Sequence, residues 1–218
     1  MSTDTDRPRM GLILAAIVAL FAATCSASAS GPGAQRVAIP ETSARYRMTL
    51  EREASVRFGL NAPVARFAAQ IHKESTWRPH AQSPFAMGLT QFTPATTEWI
   101  AGLFPRELAP ADVWDPAWSI RAMVVYNAWL YARVTGATEC DRWAKTLSAY
   151  NGGLGWVRRD ERLAQARGAD PARWFGHVEL HTTRAEWAAT ENRGYPRRIL
   201  TVLEPAYIRA GWPGVAAC

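Results

Sequence analysis

The chain has 218 residues, 48% of them hydrophobic and 20% charged, a balance that excludes a disordered tail and a multispanning membrane protein and fits one globular domain. A domain of this length buries roughly 70% of the surface its unfolded chain exposes, so it needs neither a structural metal nor dense disulfides to fold. The formal net charge of +6 makes a field attractive to polyanions such as nucleic acid, acidic lipid or an anionic cell wall.

In chain order, Arg7 and Arg9 precede an uncharged stretch from Gly11 to Ala23 and the small-residue run Cys25-Ser26-Ala27-Ser28-Ala29. That order is the pattern of a secretory signal peptide over residues 1–29, with cleavage expected near Ala29. The strongly apolar part is shorter than the roughly 20 residues of a bilayer span. An uncleaved signal anchor is the alternative, while Thr24 and Ala22 fit a lipoprotein site at Cys25 poorly. The expected location is periplasmic or secreted, or membrane-anchored if the signal is kept. Asp4 and Asp6 balance Arg7 and Arg9, so the mature domain keeps the whole positive excess. Export and the lack of a dense Lys/Arg run argue against nucleic acid.

Residues 30–45 carry glycine, prolines and small polar residues and read as a flexible lead-in to a domain over 46–218. The pattern then becomes helical. Helices are expected over 49–58, over 61–75 with Asn61 as cap and Pro63 in the first turn, and over 115–134 with Asp115 as cap and Pro116 at the first helical position. Further helices are expected over 141–150, 155–167, 183–191 and 196–210. No alternating strand of useful length is present. Helical periodicity is lost between Trp77 and Thr93, which leaves a mainly α fold with one long irregular loop.

Loss of the signal would leave Cys140 and Cys218, an even pair in an oxidising compartment. A disulfide tying the C-terminus to the domain is the expected arrangement, and two unrelated thiols the alternative. His177 and His181 stand four apart, but Glu179 is misplaced for a H-E-x-x-H zinc motif, and no metal or other cofactor is expected. The chain has ten tryptophans, and Trp129, Trp143 and Trp156 have helical spacing that suits a core better than a sugar platform. Arg197 and Arg198 read as a solvated basic face.

Glu74 is the informative oddity. On a helix it lies about 20° from Phe67 and about 60° from Ile71, pointing where the apolar face points. A carboxylate there is costly to ionise, so its pKa should rise and leave it able to donate a proton near neutrality. The bland alternative is a structural glutamate paired with Lys73 or Arg78.

The following residues change the balance. Glu74-Ser75-Thr76-Trp77-Arg78-Pro79, then Ser83-Pro84, then Gly88-Leu89-Thr90-Gln91-Phe92-Thr93-Pro94 resemble the catalytic motifs of soluble lytic transglycosylases. Ala149-Tyr150-Asn151-Gly152-Gly153, and Glu191 with Tyr195, extend the resemblance to most of the domain. The loop is one residue shorter than the family pattern, with Phe85 where glycine is common and Thr90 where methionine is usual. Ser119-Ile120 replaces Asn-Ile, and Met123 stands at a small-residue position.

The resemblance implies a lysozyme-like helical fold with the irregular loop lining a cleft, and cleavage of the MurNAc to GlcNAc β-1,4 bond of peptidoglycan. Glu74 would act as general acid, then as base, to give 1,6-anhydromuramic ends. Ser83 would donate toward an N-acetyl oxygen and Gln91 toward sugar or backbone, while Gly88 would allow close approach of the glycan. Tyr150 would bond the developing charge or hold Glu74, Asn151 and Gly152 would end their helix, and Tyr195 would be the cleft tyrosine. No aspartate or glutamate occurs between Ser75 and Thr97, so the loop offers no second carboxylate of the kind a hydrolase needs. A muramidase remains the alternative if Asp112, Asp115 or Glu191 reaches the cleft, and an inactive wall-binding or assembly module is the rival from another class. The expected partners are glycan strands, with secretion, conjugation or phage-lysis machinery as the possible setting, and the expected state is a monomer.

Overall fold

The computed structural model describes residues 37–218. The expected signal segment and the first part of the lead-in lie outside the described residues. Among the described residues the fold is helical, with no strand beyond the isolated bridges Gln82 to Met87 and Met87 to Phe92. Helix α1 spans Thr42–Phe58. It begins inside the stretch assigned to the lead-in, because Ser43 N–H already closes a turn on Pro40 O at 2.9 Å and Ser43 is buried.

Helix α2 runs Val64–Ser75, shorter than expected at its start. Gly59–Asn61 forms a separate 3₁₀ turn, and Asn61 does not cap α2. Pro63 precedes the helix with no side-chain acceptor, and the cap comes from the far end of the chain, where Pro213 O accepts from Ala65 N–H at 2.8 Å. The Cys140 to Cys218 disulfide joins two Cα atoms 4.8 Å apart and fastens the tail that supplies this cap.

A short helical pair absent from the sequence reading follows the irregular loop: α3 (Pro94–Leu103) and α4 (Pro105–Leu108). Thr93 caps α3 by accepting from Thr96 N–H at 3.1 Å, with Pro94 at the first helical position. Helix α5 (Pro116–Tyr131) starts the same way, with Asp115 accepting from Ala117 N–H at 2.9 Å and from Trp118 N–H at 3.3 Å. Helices α6 (Glu139–Gly152) and α7 (Leu154–Ala166) follow.

Helix α8 (Glu186–Arg198), a π turn (Ile199–Leu203) and α9 (Glu204–Arg209) run on without the expected break before Pro196. Proline inside a helix removes one ladder bond and crowds the preceding turn. Here the π turn follows within a few residues, and the buried rings of Tyr195 and Pro196 hold the segment helical.

Helix α2 is buried nearly all round, with Phe67, Ala68, Ala69, Gln70 and Ile71 fully enclosed, as befits a helix at the centre of a bundle. Helices α1 and α9 and the π turn pack against it, α5 packs on α1 and α6, and α8 packs on α6. This arrangement brings the C-terminal ends of α2 and α6 to the same cleft as the middle of α8.

Candidate active site

Helix α2 stops immediately after Glu74-Ser75. Thr76 and Trp77 are both left-handed, at φ 53° and 62°, a conformation that costs non-glycine residues on the order of 1 kcal/mol each. Burial of Trp77 offsets that strain: its indole is fully enclosed and donates to Tyr207 Oη at 2.5 Å. Arg78 Nε donates to Ser75 O at 2.9 Å, so it closes the helix end and leaves Glu74 alone. Lys73 turns to Glu191 at 2.9 Å.

Glu74 sits on a cleft of about 420 Å³. Tyr195 Oη donates a short hydrogen bond to its Oε1. Burial pushes the Glu74 carboxyl up to about 8, against the Tyr195 bond and the Lys73 charge, which act downward, and with the Glu191 charge adding to the rise. The negative end of the α2 dipole works in the same upward direction. Near neutrality the group therefore holds its proton while facing open volume.

The other expected residues take mixed places. Tyr150 lines the cleft, but its hydroxyl donates to Thr90 O at 2.9 Å, so Tyr195 holds Glu74 and Tyr150 ties the loop to α6. Ser83 lines the cleft and accepts from Ala86 N–H at 3.0 Å within its own turn. Gln91 also lines it, and its amide donates to Ala81 O at 3.1 Å and Gly88 O at 2.9 Å, leaving its carbonyl oxygen to accept from a ligand.

Gly88 is buried and does not line the cleft. At φ +76° a Cβ there would lie 2.2 Å from Val113 O, so the glycine is required by close approach of protein backbone and not of glycan. Asn151 lines the cleft and accepts from Asn192 Nδ2 at 2.9 Å. Asn151 and Gly152 are still helical, and Gly153 at φ 94° ends α6.

Two departures from the family pattern meet below the loop. Thr90 and Ser119 are both fully buried, and Thr90 Oγ1 donates to Ser119 O at 3.4 Å. They repack the support of the loop and do not face the cleft. Of the alternative acids, Asp112 accepts from Trp114 N–H ahead of α5 and Asp115 from Ala117 N–H in its first turn, whereas Glu191 lines the cleft.

Sequence reasoning missed the polar layer behind the acid. Gln70 and Asn127 are fully buried and joined by a 2.9 Å bond from Asn127 Nδ2 to Gln70 Oε1. Buried Asn192 links α8 to α6 by accepting from Ser148 Oγ at 2.7 Å and donating to Ser148 O at 2.9 Å. Gln70 was findable, because a glutamine one turn before Glu74 on an apolar face needs a partner. Among the described residues no group of three or more histidines, cysteines or acids comes together in a form that holds a metal. His177 Nδ1 accepts from Asp170 N–H at 3.1 Å.

The sequence model of the Transglycosylase SLT domain matches residues 50–172, more than half of the chain. The chain belongs to this family. The match takes in Glu74, the loop and Tyr150, and ends before α8, which brings Glu191 and Tyr195.

This SLT chain is 35% identical over 110 residues to membrane-bound lytic murein transglycosylase F of Pasteurella multocida, covering 50% of this chain and 21% of that protein. To the protein of the same name from Marinobacter nauticus it is 34% identical over 134 residues, covering 60% and 25%. The chain thus spans about a quarter of the length of these relatives. Among solved structures, the 70 kDa soluble lytic transglycosylase of Escherichia coli superposes with a TM-score of 0.56 at 23% identity, over 76% of this chain and 24% of that one. A 70 kDa soluble lytic transglycosylase in complex with bulgecin A gives a TM-score of 0.55 at 22% identity, over 79% and 25%. The SLT domain therefore shares the lysozyme-like helical fold of those proteins.

Proposed function

We propose that this SLT domain is a peptidoglycan lytic transglycosylase of the cell envelope, periplasmic or secreted, that cleaves the MurNAc to GlcNAc β-1,4 bond. The observation that carries this is a carboxyl group held protonated to about pH 8 on the floor of an open cleft, with a tyrosine hydroxyl as its hydrogen-bond partner. The Glu74 proton passes to the glycosidic oxygen as the C1–O bond breaks. The electron deficiency at C1 is taken up by the carbonyl oxygen of the sugar's own N-acetyl group. The Glu74 carboxylate then removes the proton of the 6-hydroxyl as that oxygen bonds to C1. Glu74 ends protonated, no water is consumed, and the product carries a 1,6-anhydro end.

Tyr195 supports both half-steps, since its hydrogen bond steadies the carboxylate that exists between them. A water-using muramidase is the second reading, and Glu191 is its specific support as the other carboxyl of the cleft. The 2.9 Å pair with Lys73 weighs against Glu191 as a free base. Mass spectrometry of digested, purified cell walls tests the choice: anhydro ends are expected from the wild type, and reducing ends would establish the muramidase. A Glu74→Gln variant that clears walls as well as the wild type would remove Glu74 from the chemistry, and a wild type that binds walls without releasing any glycan ends would leave only a wall-binding module.

A further inference from the structure

The cleft is not the only hollow on its side of the molecule. A second one of about 390 Å³ adjoins it, sharing Asn151 and Glu191 and adding Trp156, Arg184, Trp187 and Asn192. On α8 the residues Trp187, Glu191 and Tyr195 stand at i, i+4 and i+8, so they form one stripe along the helix. The stripe runs about 12 Å along the axis, at 1.5 Å per residue, from the tyrosine that holds the acid to the tryptophan. A single sugar ring over Glu74 does not reach that far.

The chemistry of the hollow is specific. Trp187 is 77% exposed, a large apolar face left in water. Trp156 forms the opposite kind of wall, its ring lying 4.3 Å from the Arg159 guanidinium carbon and 5.4 Å from that of Arg184. The Arg184 side chain is only 5% exposed and pairs with Asp160 at 3.0 Å. That pair uses Nη2, and the other terminal nitrogen, Nη1, lies beside Gly152 on the wall of the hollow. Gly152 lets these two side chains close in on α6, since a Cβ there would lie 2.8 Å from Asn192 Nδ2 and 3.1 Å from Arg184 Nη1.

Resting on the reading of the cleft as a glycan site, we propose that Trp187, Trp156 and Arg184 form a distal subsite for an amino-sugar ring of the same strand. The apolar face of the pyranose stacks on the free indole of Trp187. Its acetamido carbonyl or a hydroxyl accepts from Arg184 Nη1, and Asn151, on the border of the two hollows, offers its amide to the intervening link. An aromatic platform with a few placed donors fits a sugar, and the size falls in the range of small-ligand sites.

The test uses full chains in a Glu74→Gln background, so that ligand survives, with peptide-free N-acetylglucosamine oligomers as probes. Calorimetry compares a trisaccharide with a hexasaccharide. The background protein is expected to prefer the hexasaccharide, and Trp187→Ala should shrink that preference by about fivefold or more, with Trp187→Phe restoring part of it. An undiminished preference in Trp187→Ala overturns the subsite. So does a loss seen only with strands that carry stem peptides, which would assign the hollow to peptide. If no oligomer binds, the subsite falls too, and release of anhydro ends by the wild type then tells whether the cleft reading survives it.

Discussion

An acid lies at each end of helix α2, Glu204 of α9 against its start and Glu74 of α2 itself at its end, and only Glu74 faces a cleft with its charge unmatched. Near its start, Arg66 of α2 pairs at 2.8 Å with Glu204, their side chains 4% and 1% exposed. Burial pushes the arginine down and the glutamate up, and each opposes the other's shift. Near its end, Glu74 is part-buried at the cleft and is likewise pushed up by desolvation, but receives only a tyrosine hydroxyl, while Lys73 is drawn off to Glu191. Pocket size does not separate the two regions: the hollow beside Arg66 measures about 410 Å³ and the cleft about 420 Å³. What separates them is that one acid meets a matched cation and the other is left to carry a proton.

The comparison breaks most visibly at Glu74 itself. Glu74→Gln should lower wall-clearing activity by about three orders of magnitude, in the middle of the range of general acid and base catalysis, without lowering the thermal midpoint. The sign of its linkage follows from the direction of the shift. Between 4.5 and about 8 the folded chain keeps a proton on Glu74 that the unfolded chain has released, so this group subtracts stability as pH rises through that window. The Gln variant should show a flatter stability profile there. Wild-type activity should fall above about pH 8, once the acid is spent, and a basic limb near pH 5 would contradict the assignment.

The opposite acid should give the opposite result. Glu204→Gln strands Arg66 in the core and should cost about 3 to 5 kcal/mol in denaturant unfolding. The protein that remains folded should keep its activity. A variant that loses activity with no loss of stability would mean that the two ends of α2 are coupled.

Legibility in the sequence followed the range of the interaction. Asp115-Pro116 announced α5, and Thr93-Pro94 carried the same signature for α3 yet went unread beside a long loop. The direction of Glu74 followed from helix geometry alone. Its partner did not, because Tyr195 is 121 residues away and tyrosine on a helix reads equally as core. Gly88 looked like a glycan contact, but the backbone it admits is Val113, whose position is a property of the fold. Pro196 looked like the first residue of a separate helix, since local strain is visible in sequence and the packing that overrides it is not. The cap on α2 lent by Pro213 has no local signal at all.

Tyr195→Phe sharpens the role of the tyrosine. A hydrogen bond to a charged group contributes about 1.5 to 3 kcal/mol, so turnover should drop by about tenfold or more, well short of the Glu74→Gln loss. Removing a donor that favours the carboxylate should also move the basic limb of the pH profile above about 8. A drop in activity with an unmoved limb would make Tyr195 a packing residue.

The smallest expected effect lies at Lys73, and it separates the two chemistries. Its pair with Glu191 is partly solvated, with side chains 28% and 55% exposed, so Lys73→Met should change stability by less than about 1 kcal/mol. The loss of a positive charge beside Glu74, and the release of the Glu191 charge from its partner, both favour the protonated acid. The basic limb should therefore shift upward by less than about one pH unit. Freed Glu191 also becomes a candidate water-activating base. If it stands where such a base must stand, digests by the variant will gain reducing ends at the expense of anhydro ends; an unchanged anhydro product would show that the glycan's own 6-hydroxyl, and not water, reaches C1 even when the second carboxylate is available.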